Sequence, residues 1–318
     1  MLSQCIFSVK TPVGPPVEII RHTFSPSQSA KPAKRVSLVA GLHGDELEGL
    51  YICHRLMETL KNLEEQNAFK GEVHIYPAVN PQALETGTRL WPFFSVDINR
   101  TFGETNAPSL VTDTSRTLLE DLKSHSDLVV DFHASNLHLM ELPQIRIIKD
   151  FEKNLVPLAK LCNVDLVWVH PHAEIFESTL GYNLNRAKVP TLVIESGICL
   201  RIHKNYCEQI ILGILNLLRQ TGTIDSGEPL AEVAPPRLVQ PDFVAMIQAQ
   251  NAGLFVKQAE VGQMLKEGDK IGDLIGPDQV REEIRSPCFG LLFTLREHPL
   301  TGKGAPLARI ATEKPIKP

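Results

Sequence analysis

Residues 39–46 read Val-Ala-Gly-Leu-His-Gly-Asp-Glu, an apolar run that enters a glycine-bearing turn and then acids that open a helical stretch. Negative side chains suit a helix start. His43 and Glu46 stand three positions apart across the turn, so an imidazole and a carboxylate can aim at one point. Zinc accepts such ligands, and two histidines with one carboxylate leave its fourth position to water. Spacing alone does not decide the matter, because His138 and Glu141 repeat the same His-x-x-Glu pattern. Two unrelated polar residues would produce it equally well. Gly41 and Gly44, which let backbone and ligand approach closely, favour the first pair.

A third ligand is expected at the end of another central strand, and residues 128–133 (LVVDFH) supply His133. Asp131, two residues earlier, shares its face of the strand and can orient a ligating imidazole. The alternative is a core histidine held by a hydrogen bond. Residues 191–197 (TLVIESG) place Glu195 at the exit of a strand too apolar to lie at an edge. A buried Glu must be paired, near a metal, or raised in pKa, and the last suits a general acid/base near neutrality. The alternative is a side chain reaching solvent. NPQALETGTR (80–89) and DINRTF (97–102) put Arg89, Asn99 and Arg100 on loop-like sequence, where they would clamp a carboxylate or sit on the surface. His170, His172 and Glu174 read either as a further metal site or as a polar loop after a strand.

The elements that must position these groups follow from periodicity. Short β-branched runs at 35–40, 72–76, 128–132, 145–148, 166–169 and 191–195 predict strands. Helical periods at 46–63, 109–123, 151–161 and 203–218 predict helices between them, giving an α/β sheet with ligands at the strand ends. The Gly- and Pro-rich stretch 221–241 reads as a linker. Beyond it, residues 245–276 and 282–311 form two similar Gly-punctuated halves that predict a small all-β barrel. The expected organisation is a catalytic domain over 1–225 and a β-barrel domain over 226–318.

Composition bounds the function. The 318 residues carry 32 Lys and Arg against 37 Asp and Glu, a net charge of −5 without a basic block, which argues against nucleic acid. No apolar run reaches the ~18 residues of a membrane span. The six cysteines are scattered without a CxxC pair, and no signal-like start is present, so a cytoplasmic protein is expected. The sequence leaves homo-oligomer formation open.

Taken together, GLHGDELEG (41–49), NPQALETGTR, DINRTF, DFHAS (131–135), LPQIR (142–146) and VPTLVIESG (189–197) resemble the succinylglutamate desuccinylase and aspartoacylase family, relatives of the zinc carboxypeptidases. The resemblance covers most of the chain before Arg219. It implies a zinc-carboxypeptidase-like mixed sheet flanked by helices, followed by a small β-barrel similar to lipoyl and biotinyl domains. It implies a single zinc ion on His43, Glu46 and His133, with Glu195 as the acid/base and Arg89 facing the substrate carbonyl. Asn99 and Arg100 would bind the substrate carboxylate, and Arg146 and Arg186 fall near positions of further substrate-binding arginines. The expected reaction is zinc-dependent removal of an acyl group from an N-acyl amino acid or related small amide. The rival readings are a carboxypeptidase or peptide amidase on the same site, and a non-catalytic binding module on the same fold.

Overall fold

Runs of β-branched residues form strands, and segments of helical period form helices, in the computed structural model, which describes residues 1–27, 32–103, 109–225, 227, 233–278 and 280–316. In chain order the first part consists of β1 (Leu2–Val9), β2 (Val17–Phe24), β3 (Arg35–Val39), α1 (Leu47–Glu65), β4 (Glu72–Tyr76), α2 (Pro81–Thr86) and α3 (Leu110–His125). Then come β5 (Leu128–Ala134), β6 (Leu139–Ile148), α4 (Glu152–Ala159), β7 (Leu166–His170), α5 (Leu180–Arg186), β8 (Thr191–Gly197) and α6 (Lys204–Gln220). The strands pair in the order β1-β2-β4-β3-β5-β8-β6. The centre, β4-β3-β5-β8, is parallel, while β6 returns antiparallel on β8.

Both faces of that centre are apolar, as a sheet covered by helices requires. Ile52, Leu56 and Leu60 of α1 and Ile210, Ile214 and Leu217 of α6 pack with Leu38, Val130 and Ile194 on one face. Leu118 and Leu122 of α3 and Leu180 and Leu184 of α5 pack with Val39 and Val129 on the other. The i, i+4 spacing of the apolar residues in α1 is what made it visible in the sequence. Ser109 caps α3 through a reciprocal pair of bonds with Thr112, so that helix starts one residue later than expected.

Three elements escaped the sequence reading: the β1–β2 hairpin and the short helices α2 and α5. The first half of β6 also escaped it, because Pro143 interrupts the run; the pairing with β8 shifts register between Glu141 and Gln144, where the missing N–H does no harm.

Of the expected linker, residues 226 and 228–232 lie outside the described residues. Its end forms β9 (Arg237–Val239), which extends the main sheet beside β7. The C-terminal strands are β10 (Val244–Gln248), β11 (Gly253–Lys257), β12 (Met264–Leu265), β13 (Lys270–Ile275), β14 (Arg281–Arg285), β15 (Gly290–Arg296), β16 (Leu300–Thr301) and β17 (Pro306–Thr312). They make two antiparallel layers. The layer β14-β13-β11-β16 stands apart from the main sheet in its hydrogen bonding, whereas β15-β17-β10 is joined to it because β15 pairs with β6, Thr294 opposite Glu141. Phe255, Ile271, Leu292 and Ile310 fill the space between the layers. The fold is the expected mixed α/β sheet with an all-β region after it, and the β15–β6 pairing carries C-terminal residues to the edge of the site. Among the described residues no helix is long and apolar enough to cross a membrane.

Candidate metal and catalytic site

The turn after β3 is held by the segment that follows β4. The Asn80 N–H donates to Gly41 O and the Gly44 N–H to Thr88 O, at 2.8 and 3.0 Å. A Cβ on Gly44 would sit 1.9 Å from the Ala83 carbonyl carbon, so no other residue lets the turn pack this closely on α2. Asn80 caps α2 by accepting from the Ala83 N–H, and Pro81 occupies the first turn, where a missing N–H costs nothing. Two motifs of the sequence thereby become one platform.

On that platform His43 Nδ1 lies 2.8 Å from Glu46 Oε1. From β5, His133 Nδ1 lies 2.8 Å from Glu46 Oε2. One carboxylate thus stands between two imidazoles whose centroids are 5.2 Å apart. The far nitrogen of each ring is fixed on an acid: His43 Nε2 on Asp97 Oδ1 at 2.9 Å and His133 Nε2 on Asp131 Oδ2 at 3.0 Å. All three residues are buried. Burial alone would lower the basicity of the two histidines, but Glu46 and Asp97 for His43, and Asp131 and Glu46 for His133, outweigh it and raise both. Burial alone would likewise raise Glu46, yet the two imidazoles hold its carboxyl far below the ordinary range.

This donor set fits a divalent cation. Two Nδ1 atoms and a carboxylate converge, within 4.8 Å of one another. Each ring has its tautomer set by a carboxylate behind it, as metal-ligating histidines generally do. The other buried grouping of this kind among the described residues, Asp45, Glu46 and Cys199, shares Glu46 with the first.

Glu195 is carried by β8 directly beside His133 in the parallel ladder. Its carboxylate accepts from Arg146 Nη1 at 3.1 Å. Burial pushes its pKa above the usual value, and Arg146 and His133 oppose the shift without cancelling it. A carboxyl in that state changes protonation nearer neutrality than an ordinary one. Arg89 donates to Glu46 Oε1 at 3.0 Å and to Asp97 Oδ2 at 3.3 Å. Asn99 is buried, its Oδ1 accepting from the Leu180 N–H at the start of α5, and Arg100 beside it is exposed at the cavity wall. One cavity of about 360 Å³ takes in His43, Glu46, His133, Glu195, Arg89 and Arg146, with Asn99 and Arg100 also on its wall.

Arg186 is not brought to this cavity. It lies exposed on the last turn of α5 and borders a separate surface depression with Phe102 and Lys123. The second His-x-x-Glu also separates: His138 is exposed at the start of β6, while Glu141 is fully buried. His172 sits outside, between Asp150 and Glu177, and His170 turns onto the Trp168 ring, centroids 4.0 Å apart.

Three groups at the site had no role assigned from sequence: Asp97, Glu141 and Arg309. Asp97 carries His43. Glu141 accepts from Arg146 Nη2, from Gln144 Nε2 at 2.9 Å and from Arg309 Nη1 at 2.8 Å, so a residue of β17 reaches the cavity wall. Asp97 opens the DINRTF motif and was legible as part of it. Arg309 had no local signal.

The model of the succinylglutamate desuccinylase/aspartoacylase catalytic domain matches residues 32–221, more than half of the chain. The N-alpha-acetyl-L-2,4-diaminobutyric acid deacetylase of Halomonas elongata is 24% identical over 283 residues, 86% of this chain and 81% of that one. In fold the chain is similar to a succinylglutamate desuccinylase/aspartoacylase from Rhodobacter sphaeroides, with TM-score 0.79, 21% identity and coverage of 99% and 96% of the two chains. It is also similar to the ectoine utilization protein EutE (DoeB) of Ruegeria pomeroyi, with TM-score 0.77, 20% identity and coverage of 94% and 90%. With the matched span running from the strand before His43 to the helix after Glu195, the chain belongs to the succinylglutamate desuccinylase/aspartoacylase family.

Proposed function

We propose that this protein is a zinc-dependent deacylase that hydrolyses the amide of a small N-acyl amino acid. The observation that carries the reading is the Glu46 carboxylate standing between two imidazole Nδ1 atoms, each ring locked from behind by Asp97 or Asp131. His43, Glu46 and His133 would hold the ion. When bound, zinc supplies a Lewis acid and brings the pKa of water at the site down towards ~7.

The chain's own groups do the rest. Glu195 takes a proton from the attacking water as the C–O bond forms at the acyl carbon. It returns that proton to nitrogen as the C–N bond breaks, so the products are a carboxylic acid and a free amine. Arg89, partly exposed beside Glu46, donates to the carbonyl oxygen as negative charge grows on it. Asn99 and Arg100 hold the α-carboxylate at the wall. Arg146 acts on Glu195, holding one of its carboxylate oxygens.

The reading extends to organisation. Residues 1–225 would form the catalytic unit and 226–318 a β unit that supports it from the β6 edge. All six cysteines are free and four are buried, which suits a reducing cytoplasm.

The test is hydrolysis of N-acetyl, N-succinyl and N-formyl amino acids by the zinc-loaded protein, with short peptides alongside, for wild type and Glu195→Gln. Turnover of acyl amino acids that falls ~10²–10⁴-fold in Glu195→Gln at unchanged zinc content is the expected result. Turnover of peptides alone would establish a peptidase, and near-normal turnover in the variant would place the base elsewhere.

A further inference from the structure

The cavity does not end at Glu195. It continues under Arg146 between the sheet and helices α4 and α5, where Ile147, Phe151, Leu155, Phe176, Tyr182 and Val193 line it. Phe151 and Tyr182 meet edge to face at 5.8 Å and close that side. Helix α5 lies hard on the sheet there, since a Cβ on Gly181 would come within 2.8 Å of Val193 Cγ2. This end is walled by these apolar side chains together with Thr179, Asn185 and Thr191, whose polar atoms are bonded to neighbouring backbone, and it is continuous with the catalytic end.

The carboxylates at its entrance are already matched, although Arg146 Nε, Arg309 Nε and His170 Nε2 are buried there without a hydrogen-bond partner. Arg146 binds both Glu195 and Glu141, and Arg309 binds Glu141. Among the described residues, the only other titratable groups on this part of the wall are His170, which burial first, then Arg146 and Arg309, keep neutral with a pKa lowered to about 3, and the Tyr182 phenol. Among the described residues lining this end, no acid without an ion-pair partner is left to receive a cationic side chain, and the closed end has no cation for an anionic one. It adjoins Asn99, whose side-chain oxygen accepts from the Leu180 N–H, one residue before Gly181. The residues proposed to clamp the carboxylate therefore adjoin the apolar end through the start of α5.

We propose that this apolar end is the side-chain subsite and selects N-acyl amino acids with a bulky aliphatic or aromatic side chain. The inference rests on the deacylase reading above. An apolar pocket discriminates by the area it buries, and one filled by a benzyl or isobutyl group in place of a methyl favours it roughly 10–100-fold in kcat/KM.

The experiment compares N-acetyl derivatives of phenylalanine, leucine, alanine, aspartate and 2,4-diaminobutyrate on the wild-type zinc form. It also follows protein melting with free L-phenylalanine, L-alanine and L-aspartate, which needs no turnover. Phenylalanine and leucine derivatives at least tenfold above alanine, with phenylalanine the strongest of the free amino acids in raising the melting temperature, is the expected result. In Leu155→Trp, which fills the end, and Tyr182→Ala, which opens it, the phenylalanine-to-alanine ratio should fall. A preference for aspartate or diaminobutyrate, or a ratio unmoved in both variants, overturns the inference and leaves the deacylase reading standing. If no derivative is hydrolysed the deacylase reading fails, and the subsite is then judged by melting alone, where equal shifts for all three amino acids overturn it.

Discussion

Arg309 offers the sharpest test of whether the C-terminal strands serve the site. Its guanidinium binds Glu141, whose side chain is 1% exposed, and stacks over Trp168 at 5.3 Å. Arg309→Met keeps an apolar stem over the indole and removes one charge-assisted bond. Such a bond contributes about 1.5–3 kcal/mol. Arg309 is partly exposed and Glu141 keeps Arg146, Gln144 and Thr294, so the loss belongs near the middle of that range, about 2 kcal/mol. For a chain of this size that corresponds to a fall of about 3 °C in Tm. Glu141 would also be left with one guanidinium, drawing Arg146 towards it and away from Glu195. A weakened hold on the base should lower kcat about tenfold, or about 1.4 kcal/mol, with KM nearly constant. Arg309→Lys, which keeps charge and loses the fork, should recover part of both. Scanning calorimetry and steady-state kinetics on the three proteins decide it. An Arg309→Met protein that melts like wild type, or loses Tm with no change in kcat, would refute the coupling of β17 to Glu195.

His43→Ala or His133→Ala should lose zinc by elemental analysis while circular dichroism stays native, because neither imidazole is part of the apolar core clusters; full metal content in both would contradict the ligand set. Arg100→Ala should lower kcat/KM for acyl amino acids more than Arg100→Lys does, and should lose little further on a substrate whose carboxylate is an amide; equal losses on both substrates would mean that Arg100 supports structure only. His74 is buried against Thr23 and held neutral, its pKa lowered to about 4 by burial first, then by Arg21 and His125. Between its ordinary 6.5 and that value the unfolded chain takes up a proton that the folded chain refuses. Stability from this residue is therefore full above pH 6.5 and falls as pH drops towards 4, by up to about 3 kcal/mol. His74→Phe should melt with a flatter pH dependence between pH 7 and 5, and an unchanged slope would place the acid sensitivity elsewhere.

The central sheet was legible because it is two-sided and buried. Residues 35–39, 72–76 and 191–195 are near-continuous β-branched runs, and α1 and α6 repeat apolar residues at i, i+4, so period alone separates strand from helix. The hairpin β1–β2 was not legible, since β1 is an edge strand with exposed Leu2, Ser3 and Gln4 and thus carries no clean alternation. Helix α5 was missed for a different reason. Leu-Gly-Tyr-Asn-Leu-Asn-Arg is poor helix-forming sequence, and the helix is fixed from outside, by the Thr179 cap, by Asn99 accepting from the Leu180 N–H, and by Gly181 packed on Val193.

The same division runs through the site. His43, Glu46 and His133 lie where strands end, so the pattern of elements already directs them to one place, and Asp131 follows from its period-two relation to His133. Arginines carry no such constraint. A guanidinium reaches far from its Cα, and what it binds depends on which buried acid lacks a partner. Glu141 decides this here: the register shift at Pro143 and the β15–β6 pairing set its carboxylate between β6 and β17, so that Arg146 turns to it and to Glu195, and Arg309 becomes part of the wall. No short window of sequence contains that acid together with both of its arginines. Arg186 shows the converse. It stands near the position that the family resemblance favoured, but α5 ends with its last turn facing solvent, and a cation there has no buried carboxylate to draw it inward. Under the deacylase reading, the hold of Arg146 on Glu195 therefore depends on how the second β region docks on β6, and substitutions along that seam should lower kcat while leaving His43, Glu46 and His133 in place.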